Sequence, residues 1–524
     1  MEFRYQWWGK GDLEASLGVF FDGFSKILSA AGIMLFVFGM PADIVLGKII
    51  PGIGLAVFAG NLWYFYEARQ LARKEQRQDV TAQPFGIGAS QLTGWLYLIM
   101  GPVYWQTGDA EKAFQVGLAA AFIGGFIEIL GAFIGPWILR VVPQSALLGN
   151  MASSAIVWLT FVGIVMVFDK PLYAVLPLFI VIVDYLGKAD RRFKKVPSGI
   201  VAVVLGMVLA WAGGYLTWPG VTTACADVGL YLPHMALGDL AQGMRHIVPF
   251  LPVILPLQIN NFLSTLQGVQ AAKVAGDSYP ERRSMVMDGV SSVLGSLFGS
   301  PFPTTVYFGH GGWKELGARA GFSVFNAVAY LVICFSGLTG VLMALIPVEA
   351  VMVLLIFVGF SVTSATLRDS GHRYDNVIII SLIPILFQYV STVVNGAVQA
   401  AGTTLDKLSV EAFAEYSVPI RGIQYLGNGA FLSSLLFAAL LAYVVDRHYY
   451  RAAGVAAVLA GCSFIGMIHC EQVGLFQPEG VVFGIVYLVV VAFLAAKGRF
   501  YHKCNTNICG IAQNEITNTG RKSS

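Results

Sequence analysis

The sequence predicts an all-α polytopic membrane protein with an inverted repeat, two broken half-helix elements and an extra C-terminal hairpin. Three observations predict this class: low charge, a series of bilayer-length apolar runs, and two similar segments interrupted by glycine and proline. Of the 524 residues, 56% are hydrophobic and 12% are charged, about half the charged share of ordinary soluble domains. This composition excludes a soluble enzyme, a disordered chain and a nucleic-acid binder. Continuous rather than alternating apolar runs exclude a membrane β-barrel.

The apolar runs define about sixteen candidate elements. No cleavable signal peptide is predicted, because the N-terminus is amphipathic, mixed in charge and lacks a small-residue cleavage site. The six cysteines lie in different segments without metal-ligand spacing, so neither a disulfide framework nor a zinc site is expected. No other metal and no cofactor are predicted. The elements lie at about 18–40, 43–67, 80–100, 113–139, 143–167, 171–187, 198–217, 247–268, 285–300, 303–318, 320–346, 349–367, 376–395, 425–445, 452–470 and 480–496.

Basic residues set the predicted orientation. If the N-terminus is inside and the elements alternate, most of the 33 lysines and arginines fall on the inside, including the cluster at 188–197. The positive-inside rule then predicts a multi-pass protein of the inner or plasma membrane with both termini cytoplasmic. The stretches 218–245 and 396–424 are predicted to face outside.

An internal repeat is formed by Val80–Ser90 and Ser300–Gly312. Each begins extended, because residues before proline are pushed out of the α region, and each runs into a glycine-rich helix start. They are the third and tenth elements, so an odd number of crossings separates them and the two halves are inverted. Two half-helices that meet in mid-membrane offer free N–H groups and positive dipole ends to a ligand. The alternative is a pair of kinked helices without a ligand.

On these residues the chain resembles the nucleobase–ascorbate transporter family, the xanthine/uracil permeases, over about residues 15–450. The resemblance implies a 7+7 inverted repeat. A core of elements 1–4 and 8–11 would carry the substrate against a gate of elements 5–7 and 12–14. It also implies a homodimer with an elevator-like motion. The similar stretches are Phe20–Gly32, the broken third element, Gln258–Gln267, Leu294–Pro303 and Gly317–Gly321.

The expected domain organisation follows the resemblance and the apolar runs. Core and gate each consist of one segment from either half, and the chain ends with an additional hairpin. The predicted segments are a cytoplasmic N-terminus (1–17), core first half (18–140), gate first half (141–217), core second half (247–346), gate second half (349–446), extra transmembrane hairpin (452–496) and cytoplasmic tail (497–524).

The candidate substrate-binding residues lie on the eighth element and on the two broken elements. Asn261 and Thr265 are four apart and share one helical face. By alignment they stand where the family usually has a carboxylate and a following polar residue. The alternative for them is hydrogen bonding between helices. Phe85 and Tyr307 either stack on a planar ligand or only pack, and His310 bonds either a ligand or a nearby carbonyl. The complete predicted set is Gln83, Phe85, Asn261, Thr265, Tyr307 and His310.

Charged residues inside the apolar runs are the candidates for ion coupling. Asp22 and Lys26 are four apart and can pair on one helical face, either for coupling or to brace the core. Glu128 has no charged residue within four positions in the sequence, and burial without a partner favours proton exchange. It is therefore the predicted proton carrier. Asp288 is expected near a membrane face, in reach of water.

These residues together predict a secondary active transporter, a proton symporter of a small planar heterocycle such as a purine or pyrimidine base. Its expected partners are this small-molecule substrate, the proton and the lipid bilayer, without nucleic acid. One alternative is an anion or organic-acid transporter on the same kind of fold; another is a transport-inactive sensor. The sequence contains no GxxxxGK[ST] and no HExxH motif, so neither ATP drive nor a membrane enzyme is expected.

Overall fold

The computed structural model describes residues 3–187, 198–226, 228–307, 309–471 and 474–520. The predicted basic cluster at 188–197 lies outside these residues. Within them, six helices are long and apolar enough to cross a membrane, or up to eight if each of two bent helix pairs is one span. The predicted class, a helical polytopic membrane protein with broken elements, is confirmed.

The first repeat contains three long helices and a break between the second and the third. Stretches of π-helix at Ile33–Val37, Val45–Ile49 and Leu96–Met100 extend the shorter helical pieces. Its elements are α1 (Asp12–Gly32), α2 (Ala42–Ile44), α3 (Ile50–Glu75), β1 (Phe85–Ile87), α4 (Ala89–Trp95), α5 (Gly101–Thr107) and α6 (Ala110–Val141).

Shorter helices follow between the two repeats, with a π-helical stretch at Ala155–Phe161. Two of them occupy the polar stretch 218–245, which is therefore largely helical. These helices are α7 (Gln144–Ser154), α8 (Val162–Asp169), α9 (Pro171–Gly187), α10 (Ser198–Ala212), α11 (Trp218–Ala226) and α12 (Leu237–His246).

The second repeat again has a strand in place of a helical turn, and further helices complete the chain. The repeat consists of α13 (Leu251–Val274), α14 (Glu281–Leu297), β2 (Thr304–Val306), α15 (His310–Glu315), α16 (Gly321–Phe335) and α17 (Leu338–Leu345). The remaining helices are α18 (Val348–Ser370), α19 (Asp375–Ala400), α20 (Val410–Glu415), α21 (Ile420–Gly427), α22 (Ala430–Val445), α23 (Tyr449–Phe464) and α24 (Pro478–Gly520).

Two predicted spans differ in shape from a single straight helix. The run predicted at 320–346 bends by 91° between α16 and α17, where Gly337 has a φ of +71°. A φ of this sign is open to glycine without steric cost. The run predicted at 425–445 starts earlier and bends by 77° between α21 and α22, so part of the stretch 396–424 is helical.

The two broken elements meet each other directly. β1 and β2 pair antiparallel, with Phe85 opposite Val306, Gly86 opposite Thr305 and Ile87 opposite Thr304. The pairing continues one step further, since the Tyr307 N–H donates to the Pro84 carbonyl at 2.7 Å. The extended backbone of each broken element therefore provides hydrogen-bond partners for backbone groups of the other. This pairing permits strands within an otherwise helical core.

Helix packing shows the inverted repeat as a set of matched contacts. α6 packs against α14 and α13, and α16 packs against α3 and α1. Exchanging α1, α3 and α6 for α13, α14 and α16 turns the first set of contacts into the second. α3 also packs against α14, and β1 against β2, so these two pairs map onto themselves.

By contacts the chain divides into two compact units. One contains both halves of the repeat, including β1 and β2. The other contains most of α19 and the helices α20 to α24. In this second unit the extra hairpin packs through the small residues Ala452 and Ala456 of α23, beside Leu494 of α24 and Tyr443 of α22.

Candidate functional site

A buried ion pair on α1 lies beside the end of β2. Lys26 Nζ is 2.9 Å from Asp22 Oδ2 and 3.4 Å from the centroid of the Tyr307 ring. Lys26 is 4% exposed, whereas the Asp22 side chain is 18% exposed. Gly23 permits this approach, because a Cβ there would lie 2.2 Å from the Tyr330 hydroxyl and 3.2 Å from that of Tyr307. The structure thus contains the Asp22–Lys26 pair that the four-residue spacing predicts.

A second group of polar side chains surrounds Glu128 in the middle of α6. The Asn261 amide donates to Glu128 Oε2 at 3.0 Å, and that of Gln258 donates to the same oxygen at 3.4 Å. The Thr265 hydroxyl is 3.1 Å from Glu128 Oε1 and 2.6 Å from Asp288 Oδ2. Glu128 and Asp288 are both fully buried. The expectation that water reaches Asp288 is therefore wrong, because α6 packs closely against α14, the helix that carries Asp288.

The same group holds strand β2 in place. The Val306 N–H donates to Asp288 Oδ2 at 3.0 Å, and the Asn261 amide also donates to the Thr304 carbonyl at 3.1 Å. The Thr304 N–H donates to the Ser292 hydroxyl at 2.9 Å. The extended segment thus takes its hydrogen bonds from α13 and α14 as well as from β1.

Gln83 and Phe85 lie on the other side of the crossing, against α3 and α14. The Phe85 ring packs on that of Tyr64 with centroids 5.2 Å apart. It also fills the space left by Gly60, where a Cβ would lie 1.9 Å from the ring. The Gln83 amide donates to the Ser284 hydroxyl at 3.0 Å. The Tyr64 hydroxyl donates to Asp288 Oδ1, so this face connects to the carboxylate group.

His310 belongs to a cluster around Asp277, in the loop between α13 and α14. Asp277 Oδ2 is 3.0 Å from His310 Nε2 and accepts the Thr81 N–H at 3.1 Å. Asp277 Oδ1 accepts from Lys314 at 2.5 Å and from Arg77 at 3.0 Å. Burial alone would raise the pKa of Asp277, but the bonds from His310, Lys314 and Thr81 outweigh it, so the pKa lies below its ordinary value. The cluster ties both broken elements to one loop.

The structure divides the predicted site residues among these surroundings. Asn261 and Thr265 contact Glu128, and Tyr307 contacts Lys26, whereas Gln83, Phe85 and His310 contact other parts of the scaffold. A direct role of each in substrate binding stays a prediction. Sequence reasoning missed the meeting of Glu128 with Asp288. The available signal was a second carboxylate within an apolar run, which is a functional candidate by default.

Among the described residues, no group of three or more His, Cys, Asp or Glu side chains could hold a metal ion. The two carboxylates near Thr265 are surrounded by amide, hydroxyl and backbone N–H donors. What this arrangement can do chemically is hold and move protons, and stabilise a charged group at the end of β2.

No protein-family model matches the chain, and no curated protein matches it. Solved structures of similar fold include the transmembrane domain of a cyanobacterium bicarbonate transporter, BicA. The superposition covers 82% of this chain and 97% of the BicA domain, with 15% sequence identity and a TM-score of 0.44. For SLC26A9 the superposition covers 72% of this chain and 62% of the SLC26A9 chain, with 12% sequence identity and a TM-score of 0.49. The murine Solute Carrier 26 family member A9 anion transporter, inward-facing, covers 73% and 66%, with 11% identity and a TM-score of 0.45.

Proposed function

We propose that this chain is a secondary active transporter of a small anion, bound beside Lys26 at the crossing of β1 and β2. The observation that carries the proposal is the buried ammonium group of Lys26, whose one ion-pair partner among the described residues is Asp22. The Lys26 ammonium group is buried, but it borders the partly exposed carboxylate of Asp22. A negatively charged ligand can therefore reach the ammonium group from that side.

The architecture supports transport over the other function classes. Two broken elements at corresponding places in inverted halves are typical of secondary transporters, which bind substrate where these elements meet. β1 and β2 meet in this way, and Lys26 of α1 packs against Tyr307, which lies one residue beyond the end of β2.

The contacts of the polar row on α13 favour an anion over a nucleobase. Recognition of a base needs a few precisely placed polar groups that face the ligand. The donors of Asn261 are directed to Glu128 and to the Thr304 carbonyl. The hydroxyl of Thr265 is directed to the two carboxylates. Among the described residues, Lys26 is the buried cation that lies beside the crossing, paired with Asp22.

Uptake into proteoliposomes tests the proposal. The purified chain is reconstituted, and labelled sulfate, bicarbonate and oxalate are compared with labelled uracil and xanthine. We expect saturable uptake of at least one anion, inhibited by other anions and not by the bases. Saturable uptake of a base alone would establish nucleobase transport instead, and binding without flux would indicate a sensor.

Charge-removing variants locate the site. Lys26→Met, and the double variant Asp22→Asn with Lys26→Met that leaves no stranded charge, should each lose anion uptake. A hydrogen bond to a charged group contributes about 1.5–3 kcal/mol, and about 1.4 kcal/mol corresponds to a factor of ten, so the loss is at least roughly tenfold. The matched control removes the pair Lys48–Glu111, whose side chains are 32% and 37% exposed. Equal uptake by all three variants would remove Lys26 from the site.

A further inference from the structure

Two buried carboxyl groups meet at one hydroxyl group. Thr265 Oγ1 lies 3.1 Å from Glu128 Oε1, 2.6 Å from Asp288 Oδ2 and 2.9 Å from Thr305 Oγ1. Glu128, Asp288 and Thr265 are each 0% exposed. A hydroxyl group donates one hydrogen bond and accepts up to two, so the number of hydrogens available to these three contacts is limited.

Counting these hydrogens determines the protonation of the pair. If both carboxyl groups were ionised, Thr265 would donate to one of them, and the other would face an oxygen lone pair at hydrogen-bond distance. With one carboxyl protonated, Thr265 donates to the carboxylate and accepts from the carboxyl and from the Thr305 hydroxyl. All three contacts are then hydrogen bonds. We infer that Glu128 and Asp288 share a single proton through Thr265, and that this site carries the coupling proton; the coupling role rests on the proposed function.

The surroundings of the pair favour a proton over a metal ion. The outer oxygen of Glu128 faces the amides of Asn261 and Gln258, while Asp288 accepts from Val306 N–H and from the Tyr64 hydroxyl. Each of these oxygens already meets a hydrogen, so a cation would have to displace donors. No ion pair to either carboxylate occurs in the described part of the chain. The other titratable groups that face the pair are Tyr64 and Glu67, both on α3.

The pair is also linked to the proposed anion site. Asp288 holds the N–H of Val306 at 3.0 Å, and Tyr307, the next residue, packs against Lys26. A proton that moves between Glu128 and Asp288 changes the charge on the oxygen that holds β2. Proton occupancy and anion occupancy therefore act on the same strand, which is the physical requirement for coupling.

Infrared difference spectroscopy of the purified full-length protein tests the shared proton without any substrate. We expect a protonated-carboxyl band at neutral pH that Glu128→Gln and Asp288→Asn each alter and that the double variant loses. Glu111→Gln, in the first turn of α6, is the matched control and should leave this band unchanged. A wild-type protein without the band, or a band unaffected by Asp288→Asn, would overturn the inference.

Proteoliposomes loaded with a pH-sensitive dye test the coupling role. With whichever of sulfate, bicarbonate or oxalate the wild type carries, proton entry should accompany uptake. Glu128→Gln and Asp288→Asn should retain exchange of labelled anion but lose proton entry and uphill uptake driven by a pH gradient. Proton entry that persists in both variants refutes the coupling role. If the wild type carries none of these anions, the proposed function fails, while the infrared result still decides the shared proton.

Discussion

Lys26 depends on a single residue one helical turn away for the stability of its charge. The pair with Asp22 spans 2.9 Å, and the ammonium group gains further stabilisation from the face of the Tyr307 ring, an attraction of about 0.5–2 kcal/mol. Both partners belong to α1, so the pair moves with that helix. Removal of one partner leaves the other charge buried and uncompensated, which is more costly than removal of both.

Asp22→Asn should therefore lower the amount of folded protein, by leaving Lys26 without its counter-ion. The expected cost is roughly 3–5 kcal/mol, and the double variant Asp22→Asn with Lys26→Met should recover most of it. Fluorescence-detected size exclusion and thermal unfolding measure both effects. If an anion binds at Lys26, added anion should raise the unfolding temperature of Asp22→Asn. Equal stability of the single and double variants would contradict this account of the pair.

Asp277 is a second residue on which several elements depend, here outside the apolar helices. Asp277→Asn should lower stability at neutral pH by roughly 3–5 kcal/mol, because the charges of Arg77 and Lys314 lose a buried partner. The pKa of Asp277 is lowered in the folded state. Its contribution is thus full above the ordinary value of 3.8 and is lost as the pH falls through the lower, folded value.

Thermal unfolding of the wild type and of Asp277→Asn across this acid range measures the effect. The difference in stability between the two proteins should decrease as the pH falls. Asp79→Asn is the control, since Asp79 also contacts Arg77 and Lys314 but its side chain is 65% exposed. A difference that stays constant down to about pH 3 would show that the charge of Asp277 is not what stabilises the cluster.

At the scale of elements, the crossing of the broken segments depends on small residues in neighbouring helices. Phe85 occupies the space beside Gly60 of α3. The β1–β2 ladder is only three residue pairs long, so its position is set by this packing and by the bonds from α13 and α14. Two short strands alone would be marginal.

Gly60→Ala should consequently displace Phe85 and destabilise the core by roughly 1–3 kcal/mol, as overpacking does. Gly47→Ala is the matched control, because a Cβ at Gly47 would meet nothing within 4 Å. Unfolding temperatures of the two variants, together with their anion uptake, measure the effect. A Gly60→Ala variant as stable and as active as Gly47→Ala would show that the strand does not require this packing.

The turn of the extra hairpin contains a second residue, His469, for which the structure predicts a pH response. His469 Nδ1 is 2.7 Å from the Tyr425 carbonyl and Nε2 is 2.7 Å from the Tyr487 hydroxyl, and the ring stacks on Phe483. Burial lowers the pKa of His469, which favours the neutral ring. The unfolded chain takes up a proton near pH 6.5. Stability is therefore full above that pH and declines as the pH falls toward the folded value.

The wild-type unfolding temperature should thus decrease between about pH 7.5 and about pH 5.5, and His469→Gln should show a smaller decrease. Glutamine can replace both hydrogen bonds but does not titrate. His372→Gln is the control, since the His372 side chain is fully exposed. The same decrease in wild type and His469→Gln would assign the pH response to other groups.

At the scale of the whole molecule, the orientation in the membrane stays a prediction from the basic residues, and one native side chain tests it. Cys225 is exposed, whereas Cys334 and Cys470 are buried, and Cys225 lies in the stretch predicted to face outside. An impermeant thiol reagent added to intact cells should label the wild type and not Cys225→Ala. Labelling of Cys225 only after permeabilisation would invert the proposed topology and the assignment of both termini.

The sequence by itself determined the class of the molecule and the features that depend on near neighbours in the chain. Apolar runs of bilayer length predict membrane helices because backbone N–H and C=O groups find no hydrogen-bond partner in lipid. A helix pairs all of these groups within one segment. The matched Gly/Pro segments predict the two broken elements, and a spacing of four predicts the Asp22–Lys26 pair, since helical geometry fixes which residues share a face.

Only the tertiary structure decided which distant residues meet. The pairing of Gly86 with Thr305, the hydroxyl of Thr265 between Glu128 and Asp288, and the contact of His310 with Asp277 each join separate elements. No periodicity in the sequence encodes such contacts. They follow from the packing of α6 on α14 and of the strands on α13, because close packing restricts the partners that each buried polar group can reach.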